Sequence, residues 1–227
     1  MNPGDLLKKV KEEGRTFLLE DETKEVLEAA GIPTTRCYRV ATPEEAIKKA
    51  AEIGYPVVLK IASPQIPHKS DAGGVALNLS TEEEVAGAFE RLLDVRRRYD
   101  SGAGVVVQKM ARPGRELIAG ITADKHFGPV IMLGLGGIFT EILQDTVYRL
   151  LPITDRNAQE MIASLKSYPL LTGYRGQEPV DLDALRQVLL KLSGLVEAYP
   201  EIKELDLNPL TGYAAGVLVL DARLILK

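Results

Sequence analysis

The chain has 227 residues, a formal net charge of -4 and 45% hydrophobic residues, enough to bury a substantial core in one domain or in two associated lobes. The acidic balance, and the lack of a long basic stretch interleaved with aromatics, argue against a nucleic-acid-binding protein. Cys37, the single cysteine, allows neither an internal disulfide nor a cysteine metal cluster, and the charged first residues and short apolar runs predict neither a signal peptide nor a membrane span, so we expect a cytoplasmic protein.

The first half of the chain alternates helices and strands. Helix caps are the clearest signals, because a threonine followed by proline or glutamates matches the preferred start of a helix. We predict helices over 5–13 and 21–30, a strand over 34–40, a helix from the cap Thr42-Pro43-Glu44-Glu45 to Gly54, strands over 56–61 and 74–79, and a helix capped by Ser80-Thr81-Glu82-Glu83. These elements form a βαββα-like unit over residues 21–103.

The second half begins after Ser101-Gly102-Ala103-Gly104, a short run of small residues that is typical of a hinge. We predict strands over 105–110, 116–122, 129–133, 202–207 and 217–226 and helices over 155–167 and 181–199. The pattern predicts an α/β (α+β) protein rather than a fully alternating doubly wound sheet. The predicted division is a smaller lobe over 21–103 and a larger lobe formed by 1–20 and 104–227.

The loop after the apolar strand 56–61 carries many groups suited to chemistry. Pro64 and Pro67 prevent a helix or a central strand there. Lysine side chains and loop amides can cradle phosphate, and glycines allow the backbone to approach a ligand. The candidates are Lys60, His68, Lys69, Ser70, Asp71, Gly73 and Gly74. The alternative is an ordinary polar connection between two strands.

A second group of polar residues lies near the C-terminus. Residues two apart on a strand share a face, so Asp206 and Asn208 point away from the core that Leu205 and Leu207 enter. If the terminal hairpin turns at Ala214-Ala215, its register places Asn208 opposite Asp221. These oxygens suit Mg²⁺, which needs few protein ligands when a nucleotide is present. A polar strand edge with an Asx turn before Pro209 is the alternative.

Glycine-rich runs in the sequence do not match the common nucleotide fingerprints. In Gly134-Leu135-Gly136-Gly137 the required third small residue is replaced by Phe139, which excludes a Rossmann motif, and no P-loop pattern occurs. The run is either a turn into a helix or a loop near phosphate, followed by Glu141 and Arg149. Met110 and Glu116 are suitable types for an adenine slot and a ribose contact, and Gln108 lies beside them. His126 is expected on the surface.

With these motifs in view, the chain resembles the ATP-grasp family, and within it the β subunits of archaeal ADP-forming acetyl-CoA synthetases, relatives of succinyl-CoA synthetase β. The resemblance covers essentially the whole chain. It is most specific over 63–75, 134–141 and 204–210. It implies two α/β lobes with the nucleotide bound between them.

The resemblance also implies a reaction, acyl-CoA + ADP + phosphate to acid + CoA + ATP, in which the phosphoryl group passes from an α subunit to ADP through phosphohistidines. It implies a CoA-binding α subunit as partner in an α2β2 assembly, with Mg²⁺ as cofactor. By motif, His68 is the carrier and Asp206 takes the place of a glutamate that helps to hold the phosphohistidine. The remaining matches are nucleotide contacts at Lys60, Gln108, Met110 and Glu116 and metal ligands at Asn208 and Asp221.

Two alternatives accompany this interpretation. An ATP-grasp carboxylate-amine ligase would form an acyl phosphate directly and would need no histidine carrier. A non-catalytic regulatory subunit would bind nucleotide without turnover.

Overall fold

The computed structural model of the chain describes residues 2–63, 66, 69, 71–100, 102–137 and 144–227. The chain forms two compact units. The larger comprises Met1–Leu18, Glu25–Thr34 and Pro113–Lys227, and the smaller comprises Leu19–Lys24 and Thr35–Arg112. None of the helices within the described ranges has the length and apolar character needed to cross a membrane.

The predicted elements occur in the predicted order, but three short elements at 17–18, 146–150 and 168–171 were not predicted, and the predicted strand 217–226 is divided into two strands. In chain order they are α1 (Pro3–Glu12), β1 (Phe17–Leu18), α2 (Glu20–Ala29), β2 (Cys37–Val40), α3 (Pro43–Ile53), β3 (Val57–Ala62), β4 (Val75–Leu79), α4 (Glu82–Tyr99), β5 (Gly104–Lys109), β6 (Arg115–Asp124), β7 (Gly128–Leu135), β8 (Thr146–Leu150), α5 (Asp155–Ala163), α6 (Tyr168–Leu171), α7 (Leu182–Ala198), β9 (Ile202–Gly212), β10 (Val217–Val219) and β11 (Ala222–Leu226).

Helix starts in the smaller unit coincide with the predicted caps. The Thr42 side chain accepts a hydrogen bond from the backbone N–H of Glu45, with Pro43 in the first turn, and Gly54 ends α3 with a φ of 85°. Thr81 and Glu84 form a reciprocal capping box at the start of α4. These bonds satisfy backbone donors that a helix start leaves without intrahelical partners.

The larger unit is built on a seven-stranded antiparallel sheet in the order β1-β11-β9-β6-β7-β8, with β10 also paired to β9. Its apolar core joins this sheet to the buried faces of α1, α5 and α7. Along β9, Leu205 and Leu207 are buried whereas Asp206 and Asn208 are exposed. The alternation therefore leaves the polar side chains of β9 on the face away from the core.

The smaller unit has a four-stranded antiparallel sheet in the order β2-β5-β3-β4. Leu59, Ile61 and Val107 on one face pack in a cluster that includes Phe89 of α4. All six residues of β3 are buried, including the charged Lys60. Burial of a charged side chain on this strand requires polar partners on the face opposite the helices.

The division into units differs from the predicted one. The predicted boundary after residue 103 precedes β5, but β5 pairs with both β2 and β3 at the centre of the smaller sheet, so the smaller unit continues to Arg112. Residues 25–34 belong to the larger unit, where Ile32 enters the core and the N–H of Val219 donates to the carbonyl of Pro33 at 2.9 Å. A short run of small residues indicates a local hinge, but it does not indicate which distant strands the following strand pairs with.

Candidate functional site

The strand register of the smaller unit places two predicted site residues on one face. Val58 of β3 lies opposite Gln108 of β5, and Lys60 lies opposite Val106. Because residues two apart share a face, Lys60 and Gln108 both project from the side opposite α3 and α4. Both side chains are buried, Lys60 at 6% and Gln108 at 3% exposure.

A carboxylate that sequence reasoning missed joins these residues. Glu20, at the start of α2, accepts hydrogen bonds at Oε1 from Lys24 and Lys60, each at 2.8 Å, and at Oε2 from Lys69 at 2.8 Å. Lys24 Nζ also donates to Gln108 Oε1 at 2.8 Å and to Thr35 Oγ1 at 3.1 Å. We call Glu20, Lys24, Lys60, Lys69 and Gln108 the Glu20 cluster. The available signal was the i, i+4 spacing of Glu20 and Lys24, which is also typical of ordinary solvent-exposed helix pairs.

The charges of the cluster decide which of its groups are ionised. Burial opposes ionisation of Glu20, but the ammonium groups of Lys60, Lys24 and Lys69 outweigh it and hold the pKa of this carboxyl well below its usual range. For the neighbouring Cys37, burial is the main cause that raises the pKa of the thiol from 9.0 to about 12; the ammonium of Lys24 lowers this pKa and the carboxylate of Glu20 raises it, both to a smaller extent. Glu20 is therefore a carboxylate and Cys37 a neutral thiol at neutral pH.

The loop after β3 is closed by its predicted glycine pair. The N–H of Gly74 donates to the carbonyl of Lys69 at 2.6 Å, and the N–H of Ile61 donates to the carbonyl of Gly74 at 2.8 Å. A Cβ on Gly74 would lie 3.0 Å from the carbonyl oxygen of Lys69, and Gly73 has a φ of +71°, so both positions favour glycine. Ile66 is buried in the apolar core of the smaller unit.

The other predicted residues of this loop are placed as follows. Asp71 is exposed, whereas Lys69 is half-buried. His68 and Ser70 lie outside the described residues, so their predicted roles stay predictions.

Met110 follows β5. It is half-buried, and its N–H donates to the carbonyl of Pro56 at 3.1 Å.

Glu116, by contrast, belongs to the larger unit, on β6. It is exposed and lies beside the glycine run at the end of β7: the N–H of Gly136 donates to the carbonyl of Glu116 at 2.9 Å. A Cβ on Gly136 would lie 2.9 Å from backbone atoms of Glu116 and Leu117. Glycine at position 136 therefore allows the backbone at the end of β7 to lie close to β6. Glu141 lies outside the described residues, and Arg149 is on β8, which the sequence did not predict.

The polar group at the C-terminal hairpin has the register that the sequence predicts. Val217 lies opposite Gly212 and Arg223 opposite Asp206, and the N–H of Asn208 donates to the carbonyl of Asp221 at 3.1 Å. Asn208 therefore faces Asp221 across the strand pair. Asp206 and Asn208 are exposed and Asp221 is half-buried, so oxygen ligands are accessible on this face.

The electrostatics of this hairpin suit a cation. Partial desolvation, then the neighbouring carboxylate of Asp221, raise the pKa of Asp206, and Arg223 opposes them. Within the described ranges, no group of three His, Cys, Asp or Glu side chains forms a metal cage, but Mg²⁺ commonly takes only one or two protein carboxylates and completes its shell with water and phosphate. Asn208 and Asp221, with Asp206 nearby, therefore fit Mg²⁺ in donor type.

Asp206 also lines an open cavity of about 350 Å³ on the larger sheet. The other polar residues of its wall come from several strands, and they are Thr122, Tyr148, Glu204 and Arg223. Gly120, paired with Asp206, is part of the same wall, and a Cβ there would lie 2.9 Å from the carbonyl oxygen of Leu205. The predicted catalytic carboxylate, Asp206, and the arginine, Arg223, therefore line the same cavity.

Comparisons with known proteins give consistent matches. A family model described as an ATP-grasp domain matches residues 9–226. The chain is 46% identical over 225 residues to the β subunit of acetate–CoA ligase (ADP-forming) I of Pyrococcus furiosus, covering 98% of this chain and 97% of that subunit.

Solved structures give the same result. Acetyl-coenzyme A synthetase 1 of Ca. Korarchaeum cryptofilum, in complex with coenzyme A, Ca-AMPCP and HgCl+, matches with a TM-score of 0.94 and 46% identity, covering 98% of this chain and 99% of that chain. A second structure of that protein, with coenzyme A and Mg-AMPPCP, has a phosphohistidine segment pointing towards the nucleotide-binding site. It matches with a TM-score of 0.88 and 45% identity over 100% of both chains.

Proposed function

The chain belongs to the ATP-grasp family, in the group that contains the β subunits of ADP-forming acetate–CoA ligases, and we propose that it is the nucleotide-binding β subunit of an ADP-forming acyl-CoA synthetase. The observation that carries this proposal is the end-to-end match to such a subunit, at 46% identity over 98% of this chain and 97% of the relative. The smaller unit adds a chemical reason, since three lysines gather around one buried carboxylate where phosphate binding is expected.

The reaction converts acyl-CoA, ADP and phosphate into a carboxylic acid, CoA and ATP. Phosphate displaces the CoA thiol from the thioester, and the acyl phosphate gives its phosphoryl group to a histidine, which releases the acid. The phosphoryl group then passes to the imidazole of His68 and finally to a terminal phosphate oxygen of ADP. A neutral imidazole, with an ordinary pKa of about 6.5, is a competent nucleophile for such a transfer at neutral pH.

Support for His68 as carrier comes from its motif and from the relative. The loop sequence Pro67-His68-Lys69-Ser70-Asp71 carries the resemblance, and the Korarchaeum structure contains a phosphohistidine segment directed at its nucleotide site. In this chain the Lys69–Glu20 ion pair and the Gly74–Lys69 backbone hydrogen bond hold the part of the loop that follows His68 in sequence. Asp206 remains the second proposed catalytic residue.

ADP is proposed to bind through two kinds of residue, those that contact its phosphates and those that contact its adenine. Lys60 supplies positive charge for the phosphates, and the loop residues Ser70, Asp71, Gly73 and Gly74 supply hydroxyl, carboxylate and backbone groups. Gln108 and Met110 contribute on the adenine side, and Glu116 is a further nucleotide contact. Proteins catalyse phosphoryl transfer mainly by positioning the reacting groups and by stabilising their negative charge, and positive charges and fixed hydrogen-bond donors serve both purposes.

Asn208 and Asp221 are the residues that would hold Mg²⁺. When bound, the ion would neutralise charge on the nucleotide phosphates. The donor types fit, and the Korarchaeum relative was solved with Mg-AMPPCP. A separate α subunit is the proposed partner, because the relative from Pyrococcus furiosus is itself a β subunit, and α2β2 is the proposed stoichiometry.

The proposal is tested by assaying the tagged chain co-purified with its partner subunit. We expect ATP to form from acetyl-CoA, ADP and phosphate, and His68→Ala to abolish ATP formation. His126→Ala is the matched control, because His126 is the other histidine of the chain and is exposed in the turn between β6 and β7. ADP release from ATP that depends on an amine, and that survives His68→Ala, would instead identify a carboxylate-amine ligase.

A further inference from the structure

The Glu20 cluster contains a carboxylate to which the proposed reaction assigns no role. Glu20 is 4% exposed, and its two oxygens accept hydrogen bonds from three ammonium groups that come from three parts of the smaller unit. Lys24 follows one turn later on α2, Lys60 comes from β3, and Lys69 comes from the loop beyond β3. One side chain therefore fixes the positions of the strand lysine and the loop lysine together.

Within these four side chains, three ammonium groups lie around one carboxylate. The neighbouring Cys37 adds no charge, because its thiol has a raised pKa of about 12. Asp21, the next acidic residue on α2, is instead paired with Arg39 at 2.8 Å. The cluster thus concentrates positive charge at a place where water is largely excluded.

Such an arrangement is a poor way to stabilise a fold. Buried ion pairs cost desolvation energy that apolar side chains of the same size would avoid. It is a good way to prepare an anion site, because charges that are already desolvated and fixed in place need no reorganisation when a ligand arrives. Without the carboxylate, three like charges would repel one another and would spread apart.

We propose that Glu20 is a positioning residue for nucleotide binding, which holds Lys60 and Lys69 together as a preformed receptor for the phosphate groups of ADP. Lys24 extends the arrangement by tying Glu20 to the amide oxygen of Gln108, on the adenine side. This inference rests on the proposed function. Within the described part of the chain Glu20 contacts the three lysines, and its proposed role is exerted through them.

The test compares the affinities of the full chain for ADP and for adenosine, measured by isothermal titration calorimetry. Glu20→Gln removes the charge, and Glu20→Asp keeps the charge but shortens the side chain by about 1.5 Å, so that it no longer reaches Lys60 and Lys69 together. Asp21→Asn is the matched control, because it removes a carboxylate from the adjacent position of the same helix.

We expect both Glu20 variants to raise the Kd for ADP about tenfold or more, which corresponds to about 1.4 kcal/mol. The Kd for adenosine, which carries no phosphate, should stay within about twofold, and Asp21→Asn should leave both values within the same margin. A merely structural role for Glu20 would weaken the two ligands alike.

The result that overturns the inference is a folded Glu20→Asp chain that binds ADP as the unaltered chain does, or one in which ADP and adenosine lose affinity in parallel. If Glu20→Gln does not fold, Glu20→Asp decides the matter, with its fold checked by circular dichroism. An unaltered chain that does not bind ADP would overturn the proposed function and this inference together, whereas normal binding by the unaltered chain with unaffected variants overturns the inference alone.

Discussion

At the scale of single residues, the surroundings of Cys37 illustrate how burial controls chemistry in the smaller unit. The raised pKa, about 12 against an ordinary 9.0, means that the folded chain binds the thiol proton more tightly than the unfolded chain does. The associated stability is fully present below about pH 9 and is lost as the pH rises from there towards 12.

The same shift predicts a low reactivity of Cys37, because the thiolate is the nucleophile. At pH 8 we expect alkylation by iodoacetamide to be roughly a hundredfold to a thousandfold slower in the folded chain than in urea-unfolded chain. Mass spectrometry of quenched samples measures both rates. Comparable rates in the two states would contradict the burial and the charge environment described for this thiol.

Asp221 carries a second residue-scale prediction. If Asp221 is a magnesium ligand, Asp221→Asn replaces a negatively charged ligand with a neutral one. We therefore expect the Mg²⁺ concentration for half-maximal ATP formation by the complex to rise about tenfold or more. Asp183→Asn is the control, since Asp183 is an exposed carboxylate in the first turn of α7. A magnesium titration that does not shift for Asp221→Asn would contradict the proposed ligand.

Residue roles are predictable from sequence only where a motif or a register carries them. Asn208 and Asp221 could be paired in advance because the turn position fixes the register of a hairpin. Glu20 could not be identified, because its importance comes from Lys60 and Lys69, which are 40 and 49 positions away. No local pattern encodes such a contact.

At the scale of elements, the capping box of α4 offers a direct test of local structure. Thr81 accepts a hydrogen bond from the N–H of Glu84 at 3.2 Å, and Glu84 accepts one from the N–H of Thr81 at 3.3 Å. We expect Thr81→Ala to lower the free energy of unfolding by about 1 kcal/mol, and therefore the Tm by about 2–4 °C.

The neighbouring Ser80 supplies the control for this prediction. It is exposed, and its hydroxyl makes one long hydrogen bond of 3.4 Å to the carbonyl of Asn78. Ser80→Ala should change the free energy of unfolding by less than about 0.5 kcal/mol. Equal effects of the two substitutions in thermal denaturation would show that the cap contributes nothing specific.

Most elements could be predicted, because caps and apolar periodicity act locally. The exceptions include the two-residue strand β1, the four-residue helix α6, the strand β8 and the placement of β5. β8 was missed because its residues are half-buried or exposed, which weakens the apolar alternation that marks a strand. β5 was assigned to the wrong lobe, because the glycine-rich run before it is a local signal, whereas its pairing with β2 and β3 is not.

At the scale of the whole molecule, binding of ADP should stabilise the folded chain, because the unfolded chain has no assembled phosphate site. At a ligand concentration one hundred times the Kd, the gain is about 2.7 kcal/mol, which predicts a rise in Tm of about 5–10 °C. Differential scanning fluorimetry with ADP and Mg²⁺ measures it. Adenosine at equal concentration should give a smaller shift, and equal shifts would argue against recognition of the phosphates.

The direct test of the central claim, that His68 carries the phosphoryl group to ADP, is to incubate the complex of this chain and its partner subunit with acetyl-CoA and radiolabelled phosphate. We predict an acid-labile label on the peptide containing His68, transferred to ATP when ADP is added, and absent from His68→Ala but present in His126→Ala. The contradicting result is ATP formation at the normal rate by the His68→Ala complex, with no label on this chain in the unaltered complex.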